Sequence, residues 1–112
     1  MSFASFDVVV VPFPYADRLA EKRRPAVVVS SPALEKRHGL VWLAMVTSAS
    51  NPSWSCDVAI SDLHLSGLPA ASVVRSAKIA TVDTARVLRR IGKLAAKDAK
   101  AMKAKLRELI AG

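Results

Sequence analysis

A series of short, valine-rich runs, each ended by proline or by turn-forming residues, most constrains what this chain can fold into. Apolar runs of this length, bounded by turn signals, are typical of buried strands. Pro12 restricts the end of the first strand to a sheet edge, because proline cannot donate a ladder hydrogen bond. The predicted strands are residues 7–12, 25–31, 40–46, 58–60, 72–82 and 89–94.

The end of the chain has the period of a helix instead. Apolar residues recur there in steps of four and three, which places them on one helical face. They are Ala95, Ala99, Met102, Leu106 and Leu109. The pattern predicts a helix over residues 96–111, about 24 Å long at 1.5 Å per residue. We therefore expect one mainly β domain over residues 1–112, with a small barrel or curled sheet at about 6–94 and the helix packed on it.

Charge is concentrated in the last quarter of the chain. Residues 85–112 carry nine basic and two acidic side chains, net +7, whereas residues 1–84 carry eight and seven, net +1. Such asymmetry favours an anionic partner, either nucleic acid or an acidic peptide, although a solvated helical face is the alternative. Cys56 is the single cysteine and is expected in the core. With no predicted membrane span or signal peptide, we expect a cytoplasmic protein.

Arg24 is the strongest candidate for binding a phosphate. Pro25 fixes its own φ and pushes the preceding residue into an extended conformation, so Arg24 is predicted at the mouth of a buried strand. The planar guanidinium can bond two phosphate oxygens and keeps its charge, although a solvated charged pair with Arg23 is the alternative. Antiparallel pairing could bring the hydroxyls of Thr47 and Ser48 beside it.

Other chemical groups are sparse. His38 and His64 are isolated from further metal-ligand residues, so no metal site is predicted. RNA, however, carries its own nucleophile in the 2′-hydroxyl, so its cleavage would need neither a metal nor a protein nucleophile. Of the two tryptophans, Trp42 lies in an apolar strand and is expected in the core. Trp54 lies in a polar loop and is a candidate for stacking on a base or for lining an interface.

Five segments of the chain form a familiar ordered set. They are Asp7–Pro14, Arg23–Ser30, Val46-Thr47-Ser48, Gly67-Leu68 with Ser72-Val73-Val74, and Thr81-Val82-Asp83. Together they resemble the MazF/PemK family of toxins from bacterial type II toxin–antitoxin modules, over about residues 6–110. The resemblance implies an SH3-like barrel with a C-terminal helix, working as a homodimer without a cofactor.

The resemblance also implies an activity and a partner. Family members are metal-independent endoribonucleases that cut single-stranded RNA at short sequences and leave a 2′,3′-cyclic phosphate and a 5′-hydroxyl. Acidic antitoxins bind them and block the RNA groove. The family's catalytic arginine falls on Arg24 and its catalytic threonine on Thr47. Further RNA contacts are expected from Arg23, Ser48, Trp54 and Lys78.

Two positions depart from the family pattern. Phe6 stands where relatives often have glycine before aspartate, and Ala80 stands where many carry an arginine. Lys78 is the better substitute for that charge and Arg75 the other, since residues 78 and 80 share one face of a strand. Two alternatives stay open, the first of them supported by the missing arginine and the second opposed by the retained Arg24 and Thr47. One is a non-catalytic barrel that binds nucleic acid or protein, and the other is a toxin of the same fold directed at DNA gyrase.

Overall fold

The computed structural model describes residues 2–14 and 21–112. Within these ranges lie six strands, a C-terminal helix, two short helices and one 3-10 turn at Thr84–Arg86. In chain order they are β1 (Asp7–Pro14), β2 (Glu21–Val28), α1 (Pro32–His38), β3 (Leu40–Ser48), β4 (Asp57–Ala59), α2 (Leu63–Ser66), β5 (Ser72–Asp83), β6 (Arg89–Lys93) and α3 (Ala96–Leu109). Residues 15–20, between the first two predicted strands, lie outside the described residues.

All six strands join one antiparallel sheet in the order β4-β5-β3-β2-β1-β6. The predicted fold class, mainly β with a C-terminal helix, is confirmed, although β4 and β6 remain edges and the sheet does not close into a complete barrel. β6 pairs with β1 only from Asp7 to Val10. Pro12 therefore lies beyond that pairing, at a local edge, as its missing N–H requires.

The sheet is buried on both faces. The first, which we call the helix face, packs against α3 and includes Met102 of that helix. Its buried strand residues are Val8, Val27, Ala44, Val46, Val58 and Val74. The second, which we call the opposite face, is covered partly by Phe3 and Val87. Its buried strand residues are Val9, Val11, Ala26, Val28, Val41 and Leu43. Alternation along each strand sorts the side chains into these two sets.

The C-terminal helix follows the predicted periodicity, although it ends at Leu109, two residues early. Met102 is fully buried in the cluster on the helix face. Asp98, in the first turn, is also buried and accepts hydrogen bonds from the backbone N–H and hydroxyl of Ser61, at 2.9 and 2.8 Å. The helix is therefore held by an apolar anchor and by a carboxylate near its N-terminus. No helix in the described part of the chain is long and apolar enough to span a bilayer.

Two segments between the predicted strands form short helices. Residues 33–39 contain most of α1, which begins after Ser31 with Pro32 and ends at Gly39 with φ 66°. Residues 63–69 contain α2, whose N-cap Asp62 accepts a hydrogen bond from the Leu65 N–H at 2.9 Å. Both are too short for an apolar period to show, although the capping signals were present in the sequence.

The prediction that Trp42 belongs to the core is wrong, because its side chain is 47% exposed. Trp42 follows Val41 on β3 and so points to the helix face. Its exposed ring borders a shallow cavity with Leu34 and Arg37 of α1. Trp42 is therefore exposed near the start of the apolar strand β3, where α1 covers it only in part.

Close approach between α2 and β6 depends on two glycines. A Cβ added at Gly92 would overlap the backbone carbonyls of Leu65 and Ser66, and one at Gly67 would overlap the Ile91 carbonyl. α2, which follows the edge strand β4 in the chain, thus contacts β6, the strand at the other edge of the sheet.

Gly92→Ala is therefore expected to lower the free energy of unfolding by about 1–3 kcal/mol, the usual cost of overpacking a rigid contact. Urea unfolding followed by far-UV circular dichroism measures this. Gly112→Ala is the control, since an added Cβ there meets nothing within 4 Å. Equal midpoints for the two variants would contradict the close contact.

Phe6 occupies a backbone conformation that suits glycine, with φ 69°. Glycine, which the family resemblance leads one to expect at this position, would adopt this conformation without strain. The ring of Phe6 packs against the cluster on the helix face, and the Lys103 ammonium lies 5.5 Å from its centroid. Packing thus offsets a left-handed conformation that costs roughly 1–2 kcal/mol in a residue with a Cβ.

The two contributions can be separated at Phe6. Phe6→Ala loses the ring and keeps the strain, whereas Phe6→Gly loses the ring and relieves it. We expect the glycine variant to be more stable than the alanine variant by up to about 1 kcal/mol, although alanine is the more stabilising residue where φ is negative. Thermal unfolding of both variants measures the difference, and a clearly more stable alanine variant would refute the strain.

Candidate active site

Arg24 and Thr47 lie on neighbouring strands and on the same face of the sheet. The β2–β3 ladder pairs Val28 with Leu43 and ends with Ala26 opposite Met45. Continuing that register by two residues sets Arg24 opposite Thr47. Because side chains alternate along a strand, both belong to the opposite face. Both residues are partly buried, so each is held by its surroundings while remaining accessible.

Arg24 is not at the mouth of its strand, as the sequence predicted, but inside it. β2 begins at Glu21, and Arg24 pairs with Val11 of β1. The pairing with β3 ends at Ala26, since Pro25 has no N–H to continue the ladder. Arg24 and Thr47 therefore lie just beyond the last hydrogen-bonded pair, with Arg24 supported from the β1 side.

Asn51, which sequence reasoning missed, orients the Thr47 hydroxyl. Its side-chain amide donates to Thr47 Oγ1 at 2.6 Å, and its backbone N–H donates to the Ser48 carbonyl at 3.1 Å. A hydroxyl that accepts from an amide keeps its own proton for another acceptor. Thr47 can therefore donate towards an anion beside Arg24. The signal available in the sequence was the turn pair Asn51-Pro52, which indicated only a loop.

The alternation of side chains along the strands places two other predicted RNA contacts on the sheet face away from Arg24 and Thr47. Ser48 and Arg23 are each one residue from a candidate catalytic residue, which places them on the helix face. The Ser48 hydroxyl is within 2.8 Å of the Ser50 hydroxyl. Lys78 is exposed and lies in the irregular part of β5, between the residues that pair with Met45 and Ala44.

Ala80, where many relatives carry arginine, pairs with Leu43. Leu43 and Thr47 are four residues apart on β3, so Ala80 lies about 13 Å from Thr47 along the strand direction. Arg75 pairs with Met45 and is nearer to Thr47 in the register. Of the two cations considered as substitutes for the missing arginine, Arg75 is therefore the one whose strand position adjoins Thr47.

A second polar cluster adjoins these residues. Arg75 donates from Nε and Nη2 to the two carboxylate oxygens of Asp57, each at 3.0 Å, and from Nη2 to the Pro52 carbonyl at 2.9 Å. The same guanidinium lies 4.2 Å from the centroid of the Trp54 ring. The backbone N–H of Trp54 donates to Asp57 Oδ2 at 2.9 Å. We call Trp54, Asp57 and Arg75 the Trp54 cluster.

The Arg75 hydrogen bonds lower the pKa of Asp57 despite its burial, and the Trp54 N–H adds to this. A carboxylate with a depressed pKa stabilises the fold above its unfolded pKa of about 3.9, and this contribution is lost as pH falls through the lower folded pKa.

In a Trp42→Phe variant, which leaves Trp54 as the sole tryptophan, the Trp54 fluorescence emission should stay constant from about pH 5 to 8. It should change only below about pH 4, and a transition near neutrality would contradict the ion pair.

Residues suited to metal binding are not grouped. Within residues 2–14 and 21–112, no three His, Cys, Asp or Glu side chains lie close enough to hold a metal ion. Cys56 is buried, as predicted. The polar side chains that the structure places near Thr47 are those of Arg24, Arg75 and Asn51, and Arg75 is paired with Asp57.

A sequence profile and solved structures both match this chain. The sequence profile of PemK-like, MazF-like toxins of type II toxin–antitoxin systems matches residues 4–110. MazF in a MazE–MazF crystal structure from Deinococcus radiodurans has 22% identity and a TM-score of 0.79, covering 97% of this chain and 96% of that one. No curated protein sequence matches the chain.

Two mycobacterial structures are also similar. Mycobacterium tuberculosis toxin MazF-mt6 has 19% identity and a TM-score of 0.73, over 91% of this chain and 93% of that one. A mycobacterial endoribonuclease in complex with its cognate antitoxin has 15% identity and a TM-score of 0.76, over 96% and 93%. Since the profile covers nearly the whole chain and the six-stranded fold agrees, this chain belongs to the family of PemK-like, MazF-like toxins of type II toxin–antitoxin systems.

Proposed function

We propose that this toxin is an endoribonuclease that cuts single-stranded RNA through the RNA's own 2′-hydroxyl, without a metal ion. The observation that supports the proposal is the β2–β3 register, which ends with Ala26 opposite Met45 and, continued by two residues, sets Arg24 opposite Thr47 on one face. A guanidinium and an oriented hydroxyl on one surface suit a phosphodiester, because both can donate to its oxygens. One structure of the same fold is named an endoribonuclease, which supports RNA cleavage as the activity.

The reaction needs little from the protein beyond charge and orientation. The 2′-oxygen attacks the adjacent phosphorus and loses its proton, while the bond from phosphorus to the 5′-oxygen breaks and that oxygen takes up a proton. The products are a 2′,3′-cyclic phosphate and a 5′-hydroxyl. Arg24 stabilises the charge that develops on the phosphorane oxygens, and Thr47, oriented by Asn51, donates a further hydrogen bond. Donors placed in advance in this way are each worth about 10²–10³ in rate.

We also propose an acidic antitoxin as the protein partner and a homodimer as the working form. Similar structures include a MazE–MazF complex and an endoribonuclease bound to its cognate antitoxin. The net charge of +8 would steer an acidic chain to this toxin, and complementary charge mainly increases the association rate and specificity.

Ala80 favours one alternative, a non-catalytic barrel that binds nucleic acid or protein. At this position many relatives would place an arginine, and here the side chain carries no charge. Loss of one charged group does not remove Arg24, Thr47 or Asn51 from the opposite face. Cleavage therefore remains the better-supported function, and its rate is what decides between the two.

The test is incubation of purified, antitoxin-free protein with a long mixed-sequence RNA in EDTA. We expect discrete fragments that end in 2′,3′-cyclic phosphates. A matched RNA in which every 2′-hydroxyl is methylated should stay intact, because it lacks the nucleophile. Intact unmodified RNA from a folded sample would overturn the proposal in favour of a binding function, and fragments with 3′-hydroxyl ends would overturn the mechanism.

A further inference from the structure

Trp54 presents a flat aromatic ring to solvent and is held from behind. Its side chain is 47% exposed. The Arg75 guanidinium covers one side of the ring, at 4.2 Å from the centroid. An exposed tryptophan in a polar loop gains little from burial, so the contacts that fix it point to a ligand for the remaining ring surface.

The residues that hold Trp54 are joined by several hydrogen bonds. The Arg75 and Asp57 side chains are only 12% and 7% exposed, and they form a bidentate pair. Arg75 also binds the Pro52 carbonyl, and Asp57 accepts from the Trp54 backbone. Bidentate arginine–carboxylate pairs add geometric specificity as well as energy. A ligand that stacks here would therefore meet a platform whose ordering cost has already been met by folding.

The Trp54 cluster is also next to the candidate active site. Across the sheet, one row runs from Asp57 through Arg75 to Met45. The next row on the same face contains Thr47, which pairs with Val73. Arg75 and Thr47 are thus diagonal neighbours, about 7–8 Å apart in an antiparallel pair. Asn51, which binds Thr47, belongs to the same loop as Trp54.

The surroundings of the ring favour a nucleobase over an apolar peptide. Ser53 and Ser55 flank Trp54 and are exposed, so the apolar surface is one ring in a polar setting. A base has a flat π face and polar edges, and it stacks on aromatic rings with little regard to sequence. An apolar peptide side chain would need a groove with several apolar walls.

We propose that Trp54 is a stacking platform for one base of the bound RNA, next to the nucleotide that is cleaved, and that Arg75 and Asp57 are positioning residues for it. The inference rests on the proposed function and adds to it a named subsite. It also gives Arg75 a role other than replacing the arginine missing at position 80.

Two measurements test the platform. The first follows Trp54 emission in a Trp42→Phe variant while a single-stranded deoxy-oligonucleotide is added, which lacks the 2′-hydroxyl and so stays uncut. We expect saturable quenching that parallels the anisotropy of a labelled copy. The second is steady-state cleavage of RNA. Trp54→Ala should raise KM by roughly 5–150-fold with a smaller change in kcat, and Trp54→Phe should restore most of the loss.

A double-mutant cycle tests the positioning role. Asp57→Asn should raise KM in the parent protein and make Trp54 more accessible to acrylamide, yet it should have little further effect in Trp54→Ala. A merely structural role for Asp57 would lower activity equally in both backgrounds. Arg75→Gln should behave like Asp57→Asn.

The outcomes separate this inference from the proposed function. RNA cleavage with an unchanged KM in Trp54→Ala, or oligonucleotide binding without a change in Trp54 emission, would overturn the platform and leave the ribonuclease intact. Saturable quenching in a protein that cuts no RNA would support the platform and overturn the ribonuclease. Absence of both binding and cleavage would overturn both.

Discussion

Arg24→Ala is expected to reduce the rate of RNA cleavage by a factor of about 10²–10³, the usual cost of removing one preorganised donor to a developing oxyanion. The strand position of Arg24 and its pairing with Val11 are unaffected by truncation beyond Cβ, so the fold should remain. Single-turnover cleavage of an RNA in excess enzyme measures the chemical step directly. Arg24→Lys should recover only part of the rate, because an ammonium cannot bond two phosphate oxygens in a planar fork.

Arg107→Ala is the matched control for charge. It removes one positive charge from an exposed residue on α3, which packs on the helix face. Its cleavage rate should stay within about threefold of the parent at physiological ionic strength, where exposed charges more than about 8 Å apart are largely screened. Equal losses in the two arginine variants would mean that Arg24 acts only through overall charge, and the assigned role would be wrong.

Met102→Ala is expected to lower the free energy of unfolding by about 2–5 kcal/mol, because a fully buried side chain is lost and a cavity remains. Met102 joins α3 to the strands of the helix face, so the helix should loosen before the sheet unfolds. Chemical unfolding followed by circular dichroism measures the loss. Amide hydrogen exchange should show the weakest protection in α3.

Leu109→Ala is the control for the helix. It lies on the same helix but is 50% exposed, so its truncation should change stability by no more than about 0.5 kcal/mol. Since α3 packs on the helix face, folded Met102→Ala protein should also cleave RNA at the parent rate. A large loss of stability in Leu109→Ala would show that this end of the helix is covered by a partner in solution.

Much of the architecture could be predicted from local pattern. The four long strands β1, β2, β3 and β5 contain valine-rich runs between turn signals, and α3 has apolar residues in steps of three and four; these patterns extend over enough residues to identify. α1 and α2 were missed because seven and four residues are too few to display a helical period. The predicted start of β2 was late, since Arg23 and Arg24 interrupt the apolar run without interrupting the strand.

The candidate site was predictable only in part. Arg24 and Thr47 could be singled out from residue type, turn signals and family resemblance. The contacts of Asn51 and of the Trp54 cluster could not, because Arg75 and Asp57 lie 18 residues apart in sequence and meet only through the pairing of β4 with β5. Hydrogen bonds between side chains on different strands leave no periodic trace in a sequence.

The sequence by itself determined the fold class, the single C-terminal helix and the excess of positive charge at the end of the chain. Each of these depends on residue type and local spacing, which one-dimensional patterns record. Only the tertiary structure decided which side chains share a face. Register between strands places Arg24, Thr47 and Arg75 on the opposite face, and it sends their sequence neighbours Arg23 and Ser48 to the helix face. Pairing register is a long-range property, and a shift of one residue would exchange the two faces.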